Sequence, residues 1–239
     1  MMKVGILQAD AVSEEFQDRH GDYPQMFDDL LVAAAAELEV TLSCVTYDVE
    51  HGEYPESPED CDGYVITGSR KSVYDAEPWI ADLRNYVRTL YQSGSRLVGI
   101  CFGHQLVAEA FGGRTQKAEV GWGVGNHDSQ VVEKAWFMEP PLERFSLLVS
   151  HQDQVSIMPG EATLLASSDF CPVSMYTIED RILAMQGHPE FAPAYSADLM
   201  NMRREVISEE TYQRGIASLQ RPISEKVVGI WIVRFLKGQ

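Results

Sequence analysis

A cysteine flanked by two glycines stands where an apolar strand gives way to a helix. The segment reads Val98-Gly99-Ile100-Cys101-Phe102-Gly103-His104-Gln105. Glycine two residues before and two residues after the cysteine is what a sharp strand-to-helix turn requires, because side chains there would collide with neighbouring backbone. Such a turn lifts a nucleophile clear of the sheet, and the helix N-terminus beneath it favours the thiolate. The segment indicates a nucleophilic cysteine, although a buried cysteine that merely ends a core strand fits it as well.

A histidine and a glutamate two residues apart supply the partners that such a nucleophile needs. They lie in Ala184-Met185-Gln186-Gly187-His188-Pro189-Glu190. Pro189 disfavours helical geometry at the preceding residue, so His188 and Glu190 lie in an extended segment and point to the same side. A carboxylate bonded to one ring nitrogen fixes the tautomer and leaves the other nitrogen to deprotonate a thiol. Alone, the segment is more typical of a surface loop; with the cysteine turn it predicts a triad.

The two motifs, in this order along the chain, resemble those of the class I glutamine amidotransferases, and the resemblance extends from about Lys3 to about Phe191. It implies that Cys101 is the nucleophile, that His188 is the general base and later the general acid, and that Glu190 orients the histidine. Members of this family attack the side-chain amide of glutamine, form a γ-glutamyl thioester, release ammonia and hydrolyse the thioester. The resemblance therefore implies a small-molecule γ-glutamyl substrate and no cofactor.

A loop after the third predicted strand is similar to the oxyanion loop of the same family. In Val65–Arg70 the backbone amides of Gly68 or Ser69, together with that of Phe102, would stabilise the tetrahedral intermediate. The loop lacks the usual second glycine and proline, but backbone donors survive that change. The basic pair Arg70-Lys71 suits a carboxylate-bearing substrate, and a solvated pair on a loop is an equally good interpretation.

A later segment resembles the part of the family that holds the substrate backbone. Leu148–Val155 contains a Ser-His pair of the kind whose backbone binds the α-amino and α-carboxyl groups of glutamine. This places Ser150, His151 and Gln152 at the substrate, and Gln105, one helical turn beyond the nucleophile, would help to bind it. For His151, a hydrogen-bonded structural role is at least as well supported.

The resemblance leaves the leaving group and the partner open. Amidotransferases normally deliver ammonia to a synthetase domain or subunit, and this sequence shows neither a phosphate-cradling loop nor a second domain, so a separate synthetase subunit is one candidate partner. The motifs also resemble those of stand-alone γ-glutamyl peptidases, which use the same triad to cleave γ-glutamyl bonds. A third hypothesis is a catalytically idle binding or regulatory subunit. Another protein family also carries a cysteine on a strand-to-helix turn, but the His-Pro-Glu segment late in this chain argues against membership of that family.

Alternating strands and helices must position these residues. Apolar strands are predicted over residues 3–9, 40–47, 62–67 and 96–100. Amphipathic helices are predicted over about 27–39, about 77–92, and from 102 to the Gly112-Gly113 pair. This alternation predicts an α/β fold with a mostly parallel central sheet and helices on both faces, in a flavodoxin-like three-layer arrangement. Residues 10–25 are predicted to form a long loop beside the active site.

The second half of the chain is predicted to contain shorter strands in place of the regular alternation of strands and helices. Short strand-like segments are predicted at 130–133, 147–150 and 163–166, and a hairpin joins 173–178 to 181–186 through Glu179-Asp180. The tail is predicted to be helical. No linker or repeat interrupts the chain, so we expect a single domain, residues 1–239, with a C-terminal helical extension from about 194 to 239.

Charge and composition narrow the function classes. The 239 residues carry 19 basic and 36 acidic side chains, a net charge of −17, which disfavours nucleic acid and anionic membranes as partners. No run approaches the roughly 20 apolar residues of a membrane span, and the N-terminus is typical of a first strand rather than a signal peptide. The four cysteines and six histidines lack the spacing of a disulfide framework or a metal site. The cytoplasm is the compartment we expect.

Overall fold

The computed structural model describes residues 1–238, which form eleven strands and seven α-helices. The strands are β1 Met2–Gln8, β2 Leu42–Asp48, β3 Gly63–Ile66, β4 Arg96–Ile100, β5 Arg114–Lys117, β6 Gly123–Val131, β7 Arg144–His151, β8 Asp153–Ile157, β9 Ala162–Ser167, β10 Met175–Ile178 and β11 Ile182–Met185. The helices are α1 Glu14–His20, α2 Tyr23–Glu37, α3 Pro78–Ser93, α4 Phe102–Ala110, α5 Pro193–Met202, α6 Glu209–Ser218 and α7 Glu225–Lys237.

Nine of the strands form one sheet, in the order β2-β1-β3-β4-β11-β10-β9-β6-β7, and β5 pairs separately with β8. The five strands from β2 to β11 run parallel to one another, and the strands from β10 to β7 are antiparallel to their neighbours. The predicted α/β fold is confirmed, and so is the hairpin that turns at Glu179-Asp180. This hairpin returns β11 to the side of β4, where Met185 aligns with Ile100.

Helices cover both faces of the sheet, as predicted. Along each central strand, alternate residues enter two separate hydrophobic cores because successive side chains point to opposite faces. In β3, Val65 packs into the core that includes α2 and α7, whereas Tyr64 and Ile66 pack into the core beneath α3 and α4. Trp231 of α7 is fully buried, and its indole N–H donates to the Pro140 carbonyl at 2.9 Å.

The predicted loop over residues 10–25 is wrong in its conformation. It contains α1, and α2 begins at Tyr23 rather than near residue 27. Asp22 precedes this helix, its side chain accepts from the Tyr23 N–H, and Pro24 occupies the first turn. An Asp cap followed by an early proline is a helix start signal, and it overrides the apolar spacing that suggested a later start.

The C-terminal residues fold onto the sheet as three helices. Helix α5 packs on β6 and β7, α6 packs on β6, and α7 packs against α2. No helix among residues 1–238 has the combination of length and apolarity that a bilayer crossing requires. Of the three helices, α7 contributes to the hydrophobic core, and the last turn of α5 lies beside the predicted active site.

We predict that Trp231→Ala lowers the free energy of unfolding by about 3–5 kcal/mol, because it removes a fully buried aromatic side chain. Urea unfolding followed by circular dichroism measures the loss. Trp136→Ala is the matched control, since that indole is 46% exposed and a clearly smaller loss is expected. Equal losses in the two variants would contradict the packing described for α7.

Candidate active site

Cys101 occupies a strained turn between β4 and α4. Its backbone has φ +52° and ψ −98°, a region that non-glycine residues rarely adopt. A β-carbon on Gly99 would lie 2.6 Å from the Gly103 carbonyl oxygen, and one on Gly103 would lie 2.8 Å from the Ile66 carbonyl oxygen. The predicted reason for the two glycines is confirmed, because each lets backbone approach closer than any side chain would allow.

His188 and Glu190 form a buried pair beside this turn. The distance between His188 Nδ1 and Glu190 Oε1 is 2.7 Å, the backbone N–H of His188 donates to the Leu148 carbonyl at 2.8 Å, and the imidazole stacks on Phe191 with ring centroids 3.9 Å apart. Burial alone would lower the pKa of His188, but the Glu190 carboxylate and the neighbouring Cys101 side chain outweigh burial and raise that pKa well above its ordinary value. The arrangement favours a protonated imidazole next to the sulfur.

The side chain of Gln186, which sequence reasoning missed, also reaches the sulfur. Its Nε2 lies 3.4 Å from Cys101 Sγ, and its Oε1 accepts from Gln105 Nε2 at 3.1 Å. Gln105 Nε2 also donates to the Asp153 carbonyl oxygen at 2.9 Å. Because the Asp153 carbonyl can only accept, the atom of Gln105 that faces it must be the amide nitrogen. That nitrogen in turn requires the oxygen of Gln186 to face it, which leaves the nitrogen of Gln186 to face the sulfur. The signal was available: residues 186, 188 and 190 alternate in an extended segment and share a side.

These contacts change the interpretation of Gln105. It was predicted to help bind substrate, and it does line the cavity beside Cys101. Its amide nitrogen, however, is engaged by two acceptors within the protein. We therefore interpret it as support for Gln186.

Two buried histidines lie under the turn. His151 Nδ1 donates to the Asp153 carbonyl oxygen at 2.9 Å, and burial lowers the pKa of His151 to about 3. Burial likewise lowers the pKa of His104, whose ring packs against Tyr176, to about 3. Both imidazoles are therefore neutral in the folded protein at neutral pH. For His151, this hydrogen bond supports the structural interpretation, and a contact with substrate stays a prediction.

Two adjoining cavities meet at Cys101. The larger, of about 210 Å³, is lined by the predicted residues Ser69, Gln105, Ser150, His151 and Gln152, among others. The smaller, of about 20 Å³, is lined by Gly68, His188, Phe191, Tyr23 and Leu199, among others. Both include Ser69, Arg70, Cys101, Ser150 and Arg203. The structure therefore brings the predicted side chains together around one opening, and it adds Tyr23 from the segment predicted to border the site.

The predicted oxyanion loop lies against His188 and Cys101. A β-carbon on Gly68 would come within 2.8 Å of His188 Cε1, so only glycine fits there. Within the described part of the chain, no backbone carbonyl accepts from the N–H groups of Gly68 and Ser69. Phe102 is the first residue of α4, where the N–H has no partner within the helix. Three backbone donors thus stand close to Cys101.

The basic residues of the site differ in their partners. Arg70 pairs with Asp10 at 2.8 Å, and Lys71 pairs with Glu77 at 2.7 Å. The two predicted alternatives for these residues, contact with a substrate carboxylate and a solvated pair, therefore do not describe them fully. Arg203, which sequence reasoning missed because no motif surrounds it, donates through Nη1 to Ser150 Oγ at 2.5 Å. Across residues 1–238, no cluster of three or more His, Cys, Asp or Glu side chains could hold a metal ion.

We predict that Gly99→Ala destabilises the protein by about 1–3 kcal/mol and slows alkylation of Cys101, because the new methyl group displaces the start of α4. Urea unfolding and mass spectrometry after iodoacetamide treatment measure the two effects. Gly160→Ala is the control: a β-carbon there meets no atom within 4 Å. An unchanged alkylation rate in Gly99→Ala would show that the turn tolerates a side chain.

Comparison with known proteins places this geometry in a family. The sequence profile described as glutamine amidotransferase class-I matches residues 21–203. The chain is 33% identical to γ-glutamyl peptidase 4 of Arabidopsis thaliana over 186 residues, which cover 75% of this chain and 72% of that protein. It is also 33% identical to one of the subunits of the glutamine-hydrolyzing GMP synthase of Methanococcoides burtonii, over 56% of this chain and 67% of that protein.

Solved structures agree on the fold. The crystal structure of a glutamine amidotransferase from Thermotoga maritima superposes with a TM-score of 0.75 at 16% identity, covering 99% of this chain and 98% of that one. At this identity the likeness shows the fold alone, whereas the profile match over most of the chain shows the family. The protein belongs to the class I glutamine amidotransferase family and is an enzyme of the hydrolase type.

Proposed function

We propose that this enzyme hydrolyses the amide bond at the γ-carbon of a γ-glutamyl group through a thioester on Cys101, with conversion of glutamine to glutamate and ammonia as the reference reaction. The observation that carries the proposal is the buried pair of His188 and Glu190, 2.7 Å apart, beside a cysteine on a strained turn. A nucleophile, a base and a group that orients the base are the three parts of a hydrolytic triad.

The proposed reaction has two halves. The Cys101 thiolate attacks the γ-carbonyl carbon, and the resulting tetrahedral intermediate collapses as the C–N bond breaks and His188 gives its proton to the leaving nitrogen. Water then attacks the thioester, His188 takes a proton from that water, and the C–S bond breaks to release the γ-carboxylate and the free cysteine. The Glu190 carboxylate holds the imidazole in one orientation through both halves and stabilises its charged form.

Backbone amides stabilise the oxyanion in this scheme. The N–H groups of Gly68, Ser69 and Phe102 are the donors we assign to it, since each lies at the turn or at the loop that faces His188. Donors fixed in advance are effective because they need no reorganisation as the negative charge develops. Loss of one such donor typically costs about 3–4 kcal/mol of transition-state stabilisation.

Gln186 acts as a positioning residue in the same scheme. Its amide donates to the sulfur, and a hydrogen bond to a charged acceptor is stronger than one to a neutral acceptor. It therefore holds the sulfur in a fixed position for attack on the substrate. Gln105 keeps this donor aimed at the sulfur by occupying the oxygen of the same amide.

A stand-alone γ-glutamyl peptidase is the second candidate, favoured by the relative of that name. The two candidates share the acyl half of the substrate and the thioester, and they differ in what leaves with the nitrogen. Glutamine releases ammonia, which a synthetase partner would consume, whereas a γ-glutamyl peptide releases an amino acid or peptide and needs no acceptor. The large cavity suits the γ-glutamyl group in both cases.

We predict that Cys101→Ala abolishes glutamate release from both L-glutamine and a γ-glutamyl dipeptide, because no thioester forms without the sulfur. A coupled glutamate dehydrogenase assay follows the product. Cys44→Ala, which removes a half-buried thiol far from the site in sequence, is expected to keep activity. Full activity in Cys101→Ala would refute the proposed mechanism. If the wild-type enzyme hydrolyses glutamine but not the dipeptide, and does so only when a synthetase is added, the peptidase is excluded.

We predict that Gln186→Met slows alkylation of Cys101, because the sulfur loses the amide donor that lies 3.4 Å from it and helps to fix its position. Iodoacetamide labelling, read by mass spectrometry, gives the rate. Gln154→Met removes another buried, bonded amide that contacts Phe170 instead, and its alkylation rate should match wild type. Equal slowing in the two variants would indicate a general loss of packing.

A further inference from the structure

Arg203 lies in the wall that the two cavities share. It is the residue directly after α5, and it lines both the larger and the smaller cavity. Its guanidinium donates through Nη1 to Ser150 Oγ at 2.5 Å, and its Cζ lies 5.4 Å from the centroid of the Trp122 ring. These contacts hold the half-buried side chain beside Cys101 rather than in solvent.

This guanidinium lacks a counter-ion among the residues that the structure describes. The chain carries nearly twice as many acidic as basic side chains, and the neighbouring cations Arg70 and Lys71 each have a carboxylate. Arg203, by contrast, forms no ion pair with any of residues 1–238, and within the same residues its Nε and Nη2 donate no hydrogen bond. The Asp153 carboxylate of the larger cavity is already held by the hydroxyl groups of Ser72 and Tyr74.

Such a group is suited to bind a carboxylate from outside the chain. A guanidinium offers five N–H donors in a planar fork that matches carboxylate oxygens, and charge-assisted bonds of this kind are among the strongest in proteins. The hydrogen bond to Ser150 uses only one edge of the fork. The remaining N–H groups are available to a substrate in the cavities.

The chemistry of the reaction indicates which carboxylate this is. His188, which protonates the leaving nitrogen, lines the smaller cavity and not the larger one, so the leaving nitrogen belongs in the smaller cavity. That cavity, of about 20 Å³, holds about one water-sized group, so carbon atoms attached to the nitrogen must extend past its rim. In an α-amino acid the carboxylate is attached to the carbon that bears the nitrogen, and this brings it to the rim where Arg203 lies.

We propose that Arg203 is a specificity-determining residue that binds the α-carboxylate of an amino-acid leaving group. The preferred substrate is then a γ-glutamyl-α-amino acid whose leaving residue carries a free carboxylate. This inference rests on the proposed γ-glutamyl hydrolysis, and it assigns to the smaller cavity and its rim a subsite for the second residue of a γ-glutamyl dipeptide.

The test compares three substrates that share the γ-glutamyl group: γ-glutamylglycine, γ-glutamylglycinamide and L-glutamine. Only the first carries a carboxylate on the leaving residue. We expect the wild-type enzyme to prefer γ-glutamylglycine to its amide, and Arg203→Gln to lower kcat/KM for γ-glutamylglycine by roughly tenfold to a hundredfold. The same variant should change kcat/KM for the amide and for glutamine by less than about threefold, because neither leaving group carries a carboxylate for Arg203 to bind.

Two further variants separate charge from structure. Arg203→Lys keeps the positive charge without the planar fork and should retain part of the preference for γ-glutamylglycine. Arg204→Gln makes the same change at the next residue, which is exposed, pairs with Glu209 and lines neither cavity, and it should behave like wild type. Thermal denaturation of each variant establishes that the fold is intact.

The outcomes are distinct. An equal loss on all three substrates in Arg203→Gln overturns the inference, since the arginine then serves the γ-glutamyl half or only supports Ser150. A wild-type enzyme with no preference between the acid and the amide overturns it as well. If no substrate is turned over, the proposed function fails, and calorimetric titration of Cys101→Ala with γ-glutamylglycine and its amide still decides the subsite, because equal affinities contradict it.

Discussion

The backbone hydrogen bond from the Cys101 N–H to the Met185 carbonyl, 2.9 Å long, joins the ends of two neighbouring parallel strands, and the rest of the site depends on it. Residue 101 begins the turn after β4, and residue 186 begins the segment after β11. Because the two strands are in register at Ile100 and Met185, the residues that follow them emerge at the same edge of the sheet. Two segments more than eighty residues apart in sequence thereby bring a thiol, an imidazole and a carboxylate to one site.

Close backbone approach at the cysteine turn is the second constraint. Gly99 and Gly103 allow the strand, the turn and the helix to pack without side chains between them, and the strain at Cys101 is held in place by this packing. Gly68 does the same for the facing loop, where it brings backbone donors against His188. The site is therefore surrounded by backbone on one side, where small residues are required, and by larger side chains on the other.

Burial gives the polar groups of the site different protonation states. Among residues 1–238, His104 and His151 have no carboxylate partner, and burial keeps them neutral. His188 is buried as deeply, but Glu190 reverses the effect of burial on it. Of these three histidines, the one whose pKa is raised is the one beside Glu190 and the sulfur. The same contrast between paired and unpaired charges separates Arg203 from Arg70 and Lys71.

The sequence by itself determined the alternation of elements, the hairpin that returns to the centre of the sheet, and the two motifs whose residues meet at Cys101. These features are local: glycine spacing, a proline after a histidine and apolar periodicity can be read from a few consecutive residues. The start of α2 is also marked locally, by Asp22 and Pro24, although the apolar spacing taken alone predicts a later start. Only the tertiary structure decided that Gln105 supports Gln186, that Arg70 and Lys71 are paired, and that Arg203 enters the site. Each of these depends on which distant side chain lies nearby, and such proximity is set by packing across the sheet rather than by neighbours in the chain.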